Sequence, residues 1–126
     1  MIYLYDNLRK VTESEFRDII TKTELLHKKS RGTSKLRITI LDGSYLDVWL
    51  SPTGKYSYHW EQRAQRGRID RFDNAPDHPH LKSFPHHRHS GDEKTVEESR
   101  LPKDPASALR YVLSFIRERL STKSRD

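Results

Sequence analysis

Apolar and polar residues alternate with a period of two over Lys35–Leu50, and this pattern predicts a β-hairpin. A two-residue loop in that hairpin would pair Ile38 with Asp47 and place a carboxylate on the apolar face. A three-residue loop ending at Gly43 pairs Ile38 with Leu46 instead, and puts that glycine at the left-handed position that such loops favour. The sequence therefore predicts the three-residue loop.

The alternation continues beyond the hairpin and predicts a longer antiparallel meander. A turn at 51–54 precedes a strand over Lys55–Glu61, and a polar, basic turn at 62–67 precedes a strand over Arg68–Asp73. At the N-terminus, the alternation over Met1–Asp6 predicts a short first strand.

Two other segments have the spacing of amphipathic helices. Thr12 and Glu15 have the spacing of a capping box, and the apolar residues that follow predict a helix that ends at Gly32. Near the C-terminus, Asp104 as N-cap and Pro105 at the first helical position predict a last helix. Its apolar stripe consists of Leu109, Val112, Leu113, Ile116 and Leu120.

These elements predict one α+β domain over residues 1–126, with an antiparallel sheet of four to five strands packed against an N-terminal and a C-terminal helix. Residues 74–103 are predicted to form a long loop, rich in histidine and proline and then acidic, and 121–126 a flexible tail. Because two helices cover only one face of such a sheet, we expect the other face to stay partly open.

The composition narrows the class of protein. The 126 residues include no cysteine, which excludes disulfides and thiolate metal sites. No apolar run approaches the ~20 residues that span a bilayer, and the N-terminus lacks the pattern of a secretory signal. We therefore expect a cytoplasmic protein without a membrane partner. The formal net charge of +6 favours a polyanionic partner, although the electrostatic field of a net charge does not by itself identify that partner.

A cluster of histidines is the clearest chemical signal in the chain. Five of the seven histidines lie within twelve residues: His78, His80, His86, His87 and His89. Since imidazole has a pKa of about 6.5, one histidine can accept a proton while another donates one near neutral pH. RNA supplies its own 2′-OH as nucleophile, so this chemistry needs no metal ion. The sequence therefore predicts a metal-independent endoribonuclease.

The catalytic candidates are His86, His87, His89, Asp73 and Arg71. Because neighbouring residues in an extended segment point to opposite sides, His87 and His89 are the predicted acid–base pair. Asp73 would orient one imidazole, and Arg71 would stabilise the charge that develops on the phosphate.

Basic and aromatic residues near this segment are the candidates for binding the nucleic acid. Arg63, Arg66, Arg68, Lys82 and Arg88 would contact phosphates. Strand alternation turns either the pair Tyr45 and Trp49 or the pair Tyr58 and Trp60 outward, and we expect Tyr58 and Trp60 to stack on bases.

Three other interpretations of the histidines remain open. The segment could be a surface loop with solvated side chains. It could also hold a divalent metal such as zinc through His78, His80, His87 and His89, with Asp73 or Asp77 as an oxygen ligand. Such a site fits either a non-catalytic module that binds nucleic acid or protein, or a metal-dependent nuclease.

The histidine-rich segment also resembles a known family. The run Arg71–Pro79 followed by Phe84–His89 resembles the signature of the TumE-type toxins of prokaryotic toxin–antitoxin modules, and the resemblance extends over most of the chain. It implies a growth-inhibiting toxin of a type II module, neutralised by a cognate DNA-binding antitoxin. The order of elements also resembles that of the RelE-like ribonuclease toxins, an analogy of fold that does not by itself carry function.

Overall fold

The computed structural model describes residues 1–28 and 33–123. All the strands of this part lie in one antiparallel sheet of seven strands, which follow one another in chain order. The elements are α1 (Ile2–Glu15), β1 (Ile20–Lys28), β2 (Thr33–Ile40), β3 (Tyr45–Leu50), β4 (Tyr56–Gln62), α2 (Arg63–Arg66), β5 (Arg68–Asp73), β6 (His87–Gly91), β7 (Val96–Glu98) and α3 (Pro105–Lys123). The predicted α+β class and antiparallel sheet are confirmed, but the sheet has more strands than the four to five predicted.

The hydrophobic core lies between one face of the sheet and the two long helices, α1 and α3. The sheet contributes alternate residues of β2 to β5: Leu36, Ile38, Ile40, Leu46, Val48, Leu50, Tyr58, Trp60 and Phe72. Tyr5 of α1 is 1% exposed, and its hydroxyl accepts a hydrogen bond from the Leu50 amide at 2.8 Å. The helices therefore close one face and leave the other without helical cover.

The predicted hairpin is confirmed in register and in turn geometry. Ile38 pairs with Leu46, and the three-residue loop contains Gly43 at φ 90°. The Gly43 amide donates to the Ile40 carbonyl at 3.0 Å. A glycine is required here because other residues rarely adopt this left-handed conformation.

A helix lies at the N-terminus as predicted, but both N-terminal elements were predicted at the wrong positions. Residues 1–6, predicted as a strand, lie mostly in α1, whose buried side chains Tyr5, Leu8 and Thr12 recur at helical spacing. Thr12 is inside that helix and donates to the Leu8 carbonyl at 2.9 Å, so it does not form the predicted cap. The segment predicted as helix is instead β1, because pairing with β2 overrides a stripe of weak helix formers. The predicted end of the helix at Gly32 lies outside the described residues.

The predicted long loop over residues 74–103 contains two strands, β6 and β7. An apolar alternation could not reveal β6, because its two buried residues are the histidines His87 and His89. The C-terminal helix is confirmed, with the Asp104 carboxylate accepting from the Ser107 amide at 2.9 Å. It continues to Lys123, so the predicted tail is helical over 121–123, and 124–126 lie outside the described residues.

The turn predicted over 62–67 contains the single helical turn α2, which Gly67 ends in a left-handed conformation. Among residues 1–28 and 33–123, no helix is long and apolar enough to cross a membrane.

Candidate active site

The face of the sheet without helices brings the polar residues of β4, β5 and β6 together. Two rows of paired residues cross these strands on that face. One row joins Ser57, Asp73 and His87, and the other joins His59, Arg71 and His89. The antiparallel register thus places residues from three separate strands in neighbouring positions, and we call this surface the open face.

Two imidazoles and a carboxylate meet at the centre of the open face. The Nε2 atoms of His87 and His89 lie 3.1 Å apart. One carboxylate oxygen of Asp73 lies 3.0 Å from the His87 Nε2, and the other lies 3.5 Å from the His89 Nε2. His87 is 1% exposed and His89 is 6% exposed, so the three groups interact largely out of contact with water.

A third histidine reaches this centre from the loop between β5 and β6. The Ala75 amide donates to the Asp73 carboxylate at 3.0 Å, and successive tight turns then fold the loop back over the sheet. The His78 ring consequently lies 4.6 Å from the His87 ring and 5.9 Å from the His89 ring, between centroids. We refer to Asp73, His78, His87 and His89 together as the histidine cluster.

Backbone carbonyls orient both buried imidazoles. The Nδ1 of His87 lies 3.1 Å from the Pro85 carbonyl oxygen, and the Nδ1 of His89 lies 2.9 Å from the Glu93 carbonyl oxygen. A carbonyl oxygen only accepts hydrogen bonds, so this network assigns the proton to Nδ1 in each ring. Burial lowers the pKa of His89, which favours its neutral form. The Nε2 atoms of both rings point toward each other and toward Asp73.

A guanidinium beside the cluster is held by two carboxylates. Arg71 donates through Nε to Asp73 at 3.1 Å and through its two terminal nitrogens to Glu93 at 2.7 and 2.5 Å. The hydrogen bonds with Glu93 raise the pKa of Arg71, and the same contact lowers the pKa of Glu93. Glu93 is about half exposed, so this two-pronged ion pair lies at the surface.

A cleft of about 490 Å³ opens above these groups. Its wall includes Trp49 and Lys55, together with Tyr56 and residues of the loop after Asp73. Burial, followed by the negative charge of Asp73, raises the pKa of Tyr56 to about 12, so its hydroxyl keeps its proton at neutral pH. The cleft therefore combines an aromatic wall with the cationic side chains of Lys55 and Arg71 and with three members of the histidine cluster, Asp73, His87 and His89.

Among the predicted catalytic residues, His87, His89, Asp73 and Arg71 lie together, whereas His86 does not join them. His86 Nδ1 contacts the Tyr56 hydroxyl at 2.8 Å, and its ring stacks on Tyr56. Of the alternative metal ligands, His78 is in the cluster and His80 is exposed beyond it.

The two aromatic residues predicted to stack on bases belong to the core. Tyr58 and Trp60 are each 2% exposed, and the Trp60 indole donates to the Ser44 hydroxyl at 2.9 Å. They therefore present no ring to a nucleic acid. Strand alternation turns Tyr45 and Trp49 toward the open face instead, and both are partly exposed there.

Three of the predicted phosphate-binding arginines lie on the helical side of the sheet. Arg68 and Arg88 both donate to Asp70, at 3.0 and 3.3 Å, and Arg66 forms an ion pair with Asp42. The structure does not bring these three arginines to the histidine cluster, because their strand and turn positions point to the opposite face.

The remaining two predicted phosphate-binding residues lie nearer the open face or in the loop. Arg63 forms ion pairs with Glu61 at 2.8 Å and with Glu93 at 3.6 Å, which places it beside the rim of the cleft. Lys82 is exposed in the loop between β5 and β6.

Sequence reasoning missed His59 and Glu93 as members of the site. His59 Nδ1 lies 3.4 Å from an Arg71 nitrogen, and its Nε2 lies 3.1 Å from Glu61. On β4, His59 lies between the core residues Tyr58 and Trp60, so its side chain points to the other face of the sheet. Strand alternation could therefore have placed it on the open face. Glu93 follows β6, and without that strand its approach to Arg71 was not predictable.

The fold and this site define a small α+β protein with a polar centre on the open face of one antiparallel sheet. The family model for the toxin TumE matches residues 6–120. The chain belongs to the TumE toxin family, which makes it a toxin of a toxin–antitoxin system with an antitoxin as partner. No curated protein and no solved structure matches it. The predicted RelE-like relationship accordingly stays a prediction.

Proposed function

We propose that this toxin is an endoribonuclease and that the histidine cluster is its catalytic centre. The observation that carries the proposal is the convergence of the His87 and His89 Nε2 atoms on each other and on the Asp73 carboxylate, at 3.0–3.5 Å, beneath an open cleft. Groups that exchange protons near neutral pH are concentrated there, next to a guanidinium suited to a phosphodiester. The net charge of +6 supports a polyanionic substrate.

The distance between the His87 and His89 imidazoles limits the catalytic roles that they can take. A base and an acid that act on the two ends of a phosphodiester must flank it from opposite sides. The Nε2 atoms of His87 and His89 are only 3.1 Å apart, which leaves no space for a phosphate between them. In our proposal both histidines therefore lie at the attacking oxygen: one Nε2 accepts the single proton of the 2′-OH as that oxygen bonds to phosphorus, and the second ring and Asp73 stabilise the resulting imidazolium. The bond from phosphorus to the 5′ oxygen breaks, and the leaving 5′ oxygen takes its proton from water.

Arg71 is the group that binds the scissile phosphate in this proposal. Its guanidinium fork holds the carboxylate of Glu93, and phosphate oxygens fit the same two-pronged geometry. Because Glu93 is about half exposed, an incoming phosphate can displace it from Arg71. Trp49 and Lys55 on the cleft wall would contact the neighbouring base and phosphate.

The test is RNA cleavage by the purified, antitoxin-free chain. We expect His87→Ala and His89→Ala to slow cleavage by about 10²–10⁴-fold, the usual effect of losing a general base or acid. His86→Ala is the matched control, because this neighbour lies outside the cluster and should retain nearly full activity. Absence of cleavage by the folded wild-type chain would overturn the proposal, as would full activity of both cluster variants.

A further inference from the structure

We propose that the histidine cluster binds one divalent first-row transition-metal ion, through His78, His87, His89 and Asp73. The ligand atoms of the three histidines all lie within 4.8 Å of one another. The two carboxylate oxygens of Asp73 approach the His87 and His89 Nε2 atoms at 3.0 and 3.5 Å. Three imidazole nitrogens and one carboxylate oxygen are a donor set that zinc accepts in tetrahedral sites.

The spacing of the two buried nitrogens fits a single ion between them. With zinc–nitrogen bonds of about 2.0–2.1 Å at the tetrahedral angle, two ligating nitrogens stand about 3.3–3.4 Å apart. The Nε2 atoms of His87 and His89 are 3.1 Å apart, close to that value. An ion that contacts both nitrogens would also lie next to Asp73, whose oxygens are on the same side of the sheet.

The outer hydrogen bonds of the two imidazoles are those of metal ligands. Histidines that bind metals usually donate their other ring N–H to a carbonyl or carboxylate, which fixes the tautomer and aims the free nitrogen. His87 does this to the Pro85 carbonyl and His89 to the Glu93 carbonyl. Two buried lone pairs aimed at each other repel, and a cation between them turns that repulsion into two favourable bonds.

The charges around the cluster also favour a cation. The carboxylate of Asp73 is a charged group that directly approaches the two Nε2 atoms, at 3.0 and 3.5 Å, and its negative charge favours a cation between them. His78 adds a third imidazole from the loop between β5 and β6, and its ring lies 4.6 Å from the His87 ring and 5.9 Å from the His89 ring.

Because a metal-bound Nε2 has no free lone pair, this inference makes His87 and His89 metal ligands instead of proton acceptors, and it favours the metal-dependent alternative over the metal-independent mechanism that the sequence predicted. The inferred metal site depends on the proposed function only in what the ion would do for catalysis. The bound ion would polarise the attacking oxygen of RNA and lower the pKa of its hydroxyl group. Binding of the ion itself is a property of the cluster, and it is measurable without RNA.

The test is metal binding to the full chain, produced by cell-free synthesis without an oligohistidine tag and stripped of metals by a chelator. We expect titration with Zn²⁺ to reach one ion per chain, and Co²⁺ to give the visible absorption of a tetrahedral site. Mg²⁺, which prefers oxygen ligands, should not compete. A wild-type chain that binds neither Zn²⁺ nor Co²⁺ stoichiometrically would overturn the proposal.

Two histidine variants in the same loop form a matched pair for this titration. His78→Ala removes a proposed ligand from the partly exposed loop. We expect the Zn²⁺ affinity of this variant to fall by at least about 10–100-fold, because removing a group that only hydrogen-bonds to a metal ligand already causes a loss of that size. His80→Ala, two residues away and outside the cluster, should bind like wild type. Equal affinity of wild type and His78→Ala would contradict the assignment of His78.

A parallel cleavage assay separates this inference from the proposed function. Stoichiometric binding without RNA cleavage would support the metal site and overturn the endoribonuclease. Cleavage that persists in a chelator, by a chain that binds no Zn²⁺ or Co²⁺, would support the endoribonuclease and overturn the metal site.

Discussion

At the scale of single residues, the contact between Arg71 and Glu93 has the clearest consequence for function. The carboxylate of Glu93 occupies the guanidinium fork with two hydrogen bonds, at 2.7 and 2.5 Å. A phosphate group would use the same donors. Glu93 thus competes with the substrate in our proposal, and its removal frees the fork without changing the histidine cluster.

We predict that Glu93→Gln binds RNA about fivefold more tightly than wild type. The factor corresponds to roughly 1 kcal/mol, the upper range for an exposed ion pair that the substrate no longer has to break. Fluorescence anisotropy with a short single-stranded RNA measures it. Glu97→Gln is the control, since Glu97 is as exposed but contacts Arg88 on the other side of the sheet. Weaker binding by Glu93→Gln would show that Glu93 positions Arg71 for RNA rather than competing for it.

Asp70 has a structural role on the opposite face. It is 1% exposed and accepts hydrogen bonds from Arg68, Arg88 and Gln62. Burial opposes its ionisation, but the hydrogen bonds from Arg68 and Gln62 outweigh that effect and hold the pKa of Asp70 below its usual value. An unfolded chain protonates aspartate near pH 3.9. The stabilisation is therefore complete above about pH 5 and is lost as the pH falls through the lower, folded pKa.

We predict that Asp70→Asn lowers the free energy of unfolding by about 1.5–3 kcal/mol at pH 7, the range for a hydrogen bond to a charged group. The difference from wild type should shrink below pH 4, where the carboxylate becomes protonated. Urea denaturation at pH 7 and pH 3 measures both effects. Asp18→Asn, which breaks the exposed pair with Arg117, should show a much smaller change. A loss independent of pH would contradict the role of the Asp70 charge.

At the scale of elements, the sequence predicted those parts whose signals are local. The hairpin at Gly43 and the helix that begins after Asp104 follow from turn and cap rules that depend on a few neighbouring residues. The sequence predicted a strand where α1 begins and a helix where β1 lies. Local rules did not prevent this error, because both apolar stripes are short and β1 gains its stability from pairing with β2. Strand β6 stayed hidden because its buried positions are histidines.

The same limit explains what was predicted of the site. His87 and His89 lie side by side as expected because alternation in an extended segment is a local rule, and Asp73 and Arg71 lie on the neighbouring strand. Their role as an acid–base pair stays a prediction. Tyr58 and Trp60 were assigned to the nucleic acid because local alternation does not tell which face of the sheet is covered by helices. The approach of His78 depends on the path of a whole loop, which no local pattern specifies.

The hairpin allows a test at the scale of an element. Gly43 and Gly54 both lie in turns with left-handed backbone, at φ 90° and 88°. We predict that alanine at either position costs about 1–2 kcal/mol of stability, because its Cβ disfavours this conformation. Gly43→Ala should cost more, since its Cβ would also approach the Gln65 side chain at 3.2 Å, whereas the space around Gly54 is open. Thermal unfolding of the two variants compares them, and the reverse order would contradict the turn geometry.

At the scale of the whole molecule, the two faces of the sheet have separate tasks. Helices α1 and α3 bury the apolar face and provide the stability of the fold. The open face carries the histidine cluster, Arg71 and the cleft, all on strands whose positions that core fixes. This division lets a small chain keep a polar, partly buried centre without placing it in the core. For a member of the TumE toxin family, the open face is therefore where we expect toxicity to originate.

The most direct test of the central claim is the rate at which the toxin cleaves RNA when Asp73 is replaced by Asn. This substitution keeps the shape of the side chain and removes the negative charge between His87 and His89. We predict a cleavage rate at least about 100-fold below that of wild type, at saturating RNA and with a folded circular dichroism spectrum. Cleavage by folded Asp73→Asn at the wild-type rate would contradict the claim that the histidine cluster is the catalytic centre.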